Sequence, residues 1–175
     1  SKTMTPQPSP KPTISIIVPV HRDGESFRLC LAGIAQATPQ PDEVLIISDG
    51  AGDSIERAAR EYGYRCLQNP RGNGPARARN FGASQARCEI LFFVDSDVTI
   101  RTDSISEILP AFTDDSNTAA ILGSYDDDPA EPNFLSQYKN LMHHYVHQNS
   151  HEEASTFGAL VAQFANPQGR EFARR

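Results

Sequence analysis

Apolar residues in this chain fall into short β-branched runs separated by stretches of helical period. From Ile14 it reads Ile-Ser-Ile-Ile-Val-Pro-Val, a run that Pro19 tolerates only near a strand end, and this predicts the first strand. Glu25 to Ala37 carries Phe27, Leu31, Ile34 and Ala35 at helical spacing and stops before Pro39. Glu43 to Ile47 predicts a second strand, Asp53 to Tyr62 a helix capped by Asp53, and Tyr64 to Leu67 a short third strand. Pro75 opens a helix running to about Ala86, and Glu89 to Val94 is the fourth strand. Asp103 or Ser104 caps a further helix through Phe112, and Ala119 to Gly123 is a fifth strand. Strands alternating with helices make βαβ units, so the expected fold is an open, mostly parallel α/β sheet flanked by helices. Phe134 to His147 places Phe134, Leu135, Tyr138, Leu141, Met142, Tyr145 and Val146 on one broad stripe, which predicts an amphipathic helix laid against the sheet.

The ends differ from this body. Residues 1–12 carry Pro6, Pro8, Pro10 and Pro12 among polar residues, with almost nothing to bury, and read as a disordered leader. A length of 175 residues suits one domain, here 13–157. The formal net charge of −6 argues against general nucleic-acid binding, so an anionic ligand must be held locally. Arg71, Arg77, Arg79 and Arg87 provide such a local cluster just before the fourth strand. The three cysteines, Cys30, Cys66 and Cys88, have neither metal-ligand spacing nor a disulfide framework and suit a reducing cytoplasm. No run reaches the ~18 to 20 apolar residues of a membrane span, which leaves peripheral membrane contact open.

Three predicted strands end in groups that suit one ligand: Pro19-Val20 followed by His21, Ser48-Asp49-Gly50, and Asp95-Ser96-Asp97. Neighbouring parallel strands would bring these ends to one crevice where strand order reverses, the expected position of a nucleotide. Asp49 is able to accept a hydrogen bond from a base, for example the imide N–H of uracil. Asp97 is able to hold a divalent cation that neutralises a diphosphate. Taken alone, Asp95 and Asp97 are equally a turn after a strand, and Asp49-Gly50 also suits an Asx turn. Gly72, Gly74 and Pro75 lead into a helix whose first N–H groups favour anions. Arg77 and Arg79, two positions apart, cannot share a helix face; we expect Arg79 inward and Arg77 solvated.

These segments resemble the family 2 glycosyltransferases. The matching residues are Ile16 to His21, Val44 to Gly50 with Asp53, Gly72 to Gly82, and Phe92 to Asp97. The resemblance implies the GT-A, Rossmann-like nucleotide-diphospho-sugar transferase fold. It also implies metal-dependent transfer of a sugar, with inversion, from a nucleoside-diphosphate sugar to an unknown acceptor. On this reading Pro19, Val20, His21, Asp49, Arg79, Asn80 and Asp95 bind the donor nucleotide, and Asp97 with Asp95 binds Mn²⁺ or Mg²⁺. The family often has an acid before Asp49 where this chain has Ser48, which bears on base selectivity.

Downstream the resemblance weakens. The acceptor-side elements expected after Phe157 have no match in 158–175, which reads as an atypical tail, truncated or out of frame relative to the family. The general base is therefore expected to be missing, and neither Glu152, Glu153 nor the acids Asp126 to Asp128 is assigned to that role. His143 and His147 have metal-ligand spacing on a helix without a third ligand, and so read as surface residues. Two alternatives accompany the transferase reading. One is a noncatalytic nucleotide-sugar-binding protein. The other is a haloacid dehalogenase-type phosphohydrolase, because Asp95-Ser96-Asp97-Val98-Thr99 fits its signature and Lys139 is the one lysine after Asp97.

Overall fold

The computed structural model describes residues 11–50, 52–70, 74–113, 120–123, 135–137 and 159–163. The first strand, β1 (Ile14–Val20), is buried along its whole length. It is followed by α1 (Glu25–Ala35), β2 (Glu43–Ser48), α2 (Ser54–Glu61), β3 (Arg65–Gln68), α3 (Pro75–Gln85), β4 (Ile90–Val94) and α4 (Ser104–Thr113). Three further strands, β5 (Ala120–Gly123), β6 (Leu135–Gln137) and β7 (Ala159–Gln163), complete one sheet of order β3-β2-β1-β4-β7-β5-β6.

The first four strands are parallel: Ile16 pairs with Val44, Leu45 with Arg65, and Ile14 with Ile90. Strand order thus reverses between β1 and β4. Val20 accepts a hydrogen bond from Asp49 N on the β2 side, so alternation turns the backbone of Pro19 toward β4. Pro19 has no N–H to give, and the β1–β4 pairing ends at Ile17 and Phe93. The proline therefore lies in a central strand only where that strand has parted from its neighbour, at the reversal of strand order.

Side chains alternate between two cores. Ile14, Ile16, Val18, Val20, Ile46, Phe92 and Val94 pack with Phe27, Leu31 and Ile34 of α1, Ile55 and Ala59 of α2, and Ile105 and Ile108 of α4. On the other face Ile17, Leu45, Ile47, Leu91 and Phe93 pack with Ala78 and Ala83 of α3. Gly82 brings α3 close to this face: a Cβ there would lie 2.5 Å from Ile17 Cγ2 and 3.0 Å from Ile47 Cγ1. The long apolar runs of β1 and β4, without polar alternation, follow from cover on both faces.

Several expectations change. Gln40 donates its side-chain amide to the carbonyls of Ala35 (3.0 Å) and Ala37 (2.6 Å), satisfying groups that the end of α1 leaves open. Asp53 does stand at the start of α2, but its carboxylate makes no cap and instead faces Arg57 at 3.4 Å. Asp103, just before α4, likewise pairs with Arg101 at 2.8 Å.

Larger differences lie beyond β4. Leu135–Gln137, read as part of a helix, form β6 against β5, with Ile121 opposite Gln137; an open sheet edge offers ladder bonds that helical periodicity does not reveal. Ala159–Gln163, read as part of the tail, form β7 between β4 and β5, with Val94 and Gly123 both opposite Ala159. The sheet is mixed on that side. Residues 1–10 of the leader, the acids 126–128, Lys139, His143, His147, Glu152 and Glu153 lie outside the described residues.

Candidate active site

The carboxyl ends of β1, β2 and β3 lie in register, Val20 beside Ser48 and Ser48 beside Gln68, with the end of β4 across the reversal. His21, Asp49, Asn69 and Asp95 each follow one of these ends. Topology alone therefore brings them to one edge of the sheet.

Asp49 is fixed at both its backbone and its carboxylate. Its N–H donates to Val20 O at 2.8 Å, and Nδ1 of His21 lies 3.3 Å from its carbonyl, where the Nδ1–H tautomer donates. Asn69 Nδ2 donates to Oδ1 at 3.0 Å, and the backbone N–H of Gly74 donates to Oδ2 at 2.9 Å. Gly74 has φ of 116°, a left-handed conformation that a glycine adopts without strain. Gly50 lies directly against the carbonyl oxygen of His21, where a side chain would collide, and Gln68 Nε2 donates to the Gly50 carbonyl at 3.2 Å.

At the other end, Arg79 of α3 points to the Asp-x-Asp loop and donates to Asp95 Oδ1, while Arg77 is exposed. Asp95 is partly buried, and its carbonyl accepts from Val98 N at 3.0 Å, closing the turn that contains Asp97. Cys30 of α1 lies beneath this loop, its thiol 3.8 Å from the same carbonyl. Burial, then the charges of Asp97 and Asp95, push that thiol up to about 12. Cys30 is therefore an uncharged thiol at neutral pH.

Pro19 and Val20 are buried in β1, so neither presents a side chain at the surface, whereas His21 is exposed beyond the strand end. Asn80 is exposed on α3, one position after Arg79. Asp97 is exposed. The structure thus brings Asp49, Arg79 and Asp95 to α3: the N–H of Gly74, just before the helix, reaches one carboxylate, and Arg79 in its second turn reaches the other. Asn69 and Gln68 escaped the sequence reading; the available signal was two amide residues, followed by Pro70, at the end of a strand in register with β2.

Among the described residues no cluster of three or more His, Cys, Asp or Glu side chains forms a protein-only metal cage. A magnesium-type ion needs only one or two carboxylates when phosphate oxygens supply the rest. The exposed Asp97 beside the half-buried Asp95 fits that donor set. No helix among the described residues is long and apolar enough to cross a membrane.

Solved structures share this fold. A mannosyltransferase from Pyrobaculum calidifontis, solved with GDP-Man and Mn²⁺, superposes with a TM-score of 0.59 at 20% identity, covering 70% of this chain and 38% of that one. Glucosyl-3-phosphoglycerate synthase from Mycobacterium tuberculosis, solved with UDP, superposes with a TM-score of 0.62 at 15% identity over 87% of this chain and 57% of its own. These likenesses establish a shared fold, that of the GT-A nucleotide-sugar transferases.

Among curated sequences, the glycosyltransferase GlyG of Streptococcus pneumoniae is 26% identical over 126 residues, 69% of this chain and 42% of that protein. Validoxylamine A glucosyltransferase of Streptomyces hygroscopicus subsp. limoneus is 28% identical over 129 residues, 69% of this chain and 28% of that protein. The chain thus spans less than half the length of either relative. The profile described as glycosyl transferase family 2 matches residues 15–164, most of this sequence and all four parallel strands, and the chain belongs to that family.

Proposed function

We propose that this chain is the donor-binding part of a glycosyltransferase that moves a sugar from a nucleoside-diphosphate sugar to an acceptor hydroxyl with inversion. One observation carries the reading. At the reversal between β1 and β4, Asp49 and Asp95 follow the ends of β2 and β4, one held by Gly74 at the entrance to α3 and the other by Arg79 within it. The base lies toward Asp49, near His21 and the end of β1 formed by Pro19 and Val20. The diphosphate lies toward Arg79, Asn80 and Asp97. The GDP-Man, UDP and Mn²⁺ found with the structural relatives support a nucleotide sugar and a divalent cation as ligands.

Mn²⁺ or Mg²⁺, when bound, supplies charge that stabilises the departing nucleoside diphosphate. Asp97, with Asp95, would hold it. Arg79 keeps Asp95 oriented and leaves a cation beside the diphosphate position, while Asp49 accepts a hydrogen bond from the base. Removal of the acceptor proton requires a base that we assign to no residue of this chain. The acceptor is a saccharide, lipid or protein hydroxyl. Three free thiols suit a cytoplasmic setting.

Family membership sets aside the phosphohydrolase alternative, in which Asp95 would be a nucleophile. Titration with uridine and guanosine diphosphates, with and without Mn²⁺, tests the proposal. Metal-enhanced binding supports it, and undiminished binding by Asp97→Ala would remove Asp97 from the metal site. Sugar release from a donor, followed in the same samples, separates a transferase from a noncatalytic binder.

A further inference from the structure

We propose that Asn69 is a positioning residue that sets the base selectivity of the donor crevice, by fixing the Asp49 carboxylate to read a ring N–H. This rests on the nucleotide-sugar reading above. Asn69 is 5% exposed, and its own N–H donates to Ser48 O at 2.8 Å. Pro70 follows it and restrains its backbone to extended conformations. From this fixed base the Nδ2 group reaches Oδ1 of Asp49 at 3.0 Å, while Gly74 N reaches Oδ2 at 2.9 Å. A carboxylate accepts only, so the amide must present its NH₂ group here.

Among the described residues each oxygen of Asp49 thus has one protein donor, which leaves it one further lone-pair direction. A carboxylate pinned in this way needs no ordering when a ligand arrives. What it offers is an acceptor in a set direction. Uracil presents N3–H and guanine N1–H to such a group, whereas cytosine N3 and adenine N1 are acceptors and would be opposed to it. Ser48, the position where the family often has a second acid, is buried at 3% exposure and belongs by strand alternation to the opposite sheet face. Selectivity therefore falls to Asp49 and to the groups that aim it.

The test uses the full chain with Mn²⁺ and measures affinity for uridine and guanosine diphosphates, their N3-methyl and N1-methyl counterparts, and inorganic pyrophosphate. The wild-type protein is expected to prefer one unmethylated nucleotide over its methylated form by about tenfold or more. Asn69→Ala is expected to reduce that ratio to about twofold while pyrophosphate affinity stays unchanged. Asn69→Asp keeps the side-chain shape without the donor and is expected to do the same, which covers an alanine variant that does not fold. Folding of each variant is followed by thermal melting. Retention of the wild-type ratio by either folded variant overturns the inference, as does an equal loss for nucleotides and pyrophosphate, which would mark a merely structural residue. A wild-type protein that binds pyrophosphate but no nucleotide overturns the donor reading itself, and this inference with it.

Discussion

The guanidinium of Arg79 donates to the carboxylate of Asp95 at 2.5 Å, joining the second turn of α3 to the Asp-x-Asp loop, with 21% and 30% of the two side chains exposed. A partly exposed pair of this kind adds about 1 kcal/mol to stability, so on the proposed donor-binding role its greater effect falls on the ligand. Arg79→Ala removes a cation and leaves a carboxylate facing the diphosphate position. Uridine diphosphate affinity measured without metal is expected to fall about tenfold, with Mn²⁺ binding alone retained. Arg79→Lys restores charge but not the planar fork, and recovers only part of the loss.

Asp97 is exposed, and replacing it should leave the fold alone. Asp97→Asn is expected to change stability by less than about 0.5 kcal/mol. The increase in nucleotide affinity that Mn²⁺ brings should disappear. Calorimetric titration with and without the metal separates the two effects, and a preserved metal increment would place the cation elsewhere.

The parallel half of the fold was legible because β1, β2 and β4 are covered on both faces and must be continuous apolar runs, while Phe27, Leu31 and Ile34 or Ile105 and Ile108 mark helices by their spacing. Of its antiparallel half only β5, expected over Ala119 to Gly123, was legible. Leu135-Ser136-Gln137 is too short to outweigh the apolar stripe around it, and Ala159 to Gln163 becomes a strand only because β4 and β5 present ladders on either side. In the site, helix geometry separated Arg77 from Arg79, and the family resemblance pointed to Arg79 as the inward one. Asn69 was not legible, because its partner is 20 residues away and a buried amide has no periodic signature.

The Cys30 thiol, raised to about 12 from 9.0 by burial and then by Asp97 and Asp95, ties stability to alkaline pH. A folded-state value above the unfolded one means that the native protein holds this proton longer. The contribution is fully present below about pH 9 and is lost as pH rises toward about 12. Stability should decline over that interval with a slope of at most about 1.4 kcal/mol per pH unit from this group. Cys66 and Cys88 are raised by burial too, so Cys30→Ala should flatten the profile without abolishing it. Urea unfolding between pH 8 and 11 measures the difference, and identical slopes would refute it.

Gly50→Ala should act through packing. The new methyl would meet the carbonyl oxygen of His21, a backbone atom that cannot swing aside. A loss of about 1–3 kcal/mol is expected, read as a lower urea midpoint at unchanged slope. A midpoint equal to that of the wild type would mean that the loops after β1 and β2 separate easily.

Gly82 stands one turn beyond Arg79 on α3, where only a hydrogen fits between helix and sheet. The standoff of α3 therefore sets the reach of Arg79 as well as the packing of the core. A thicker residue at 82 would lift the helix off Ile17 and Ile47, and the guanidinium would withdraw from Asp95 with it. A small residue packed beneath a helix thus calibrates how far a charge reaches from the next turn of the same face, so ligand preference can drift through changes that touch no ligand.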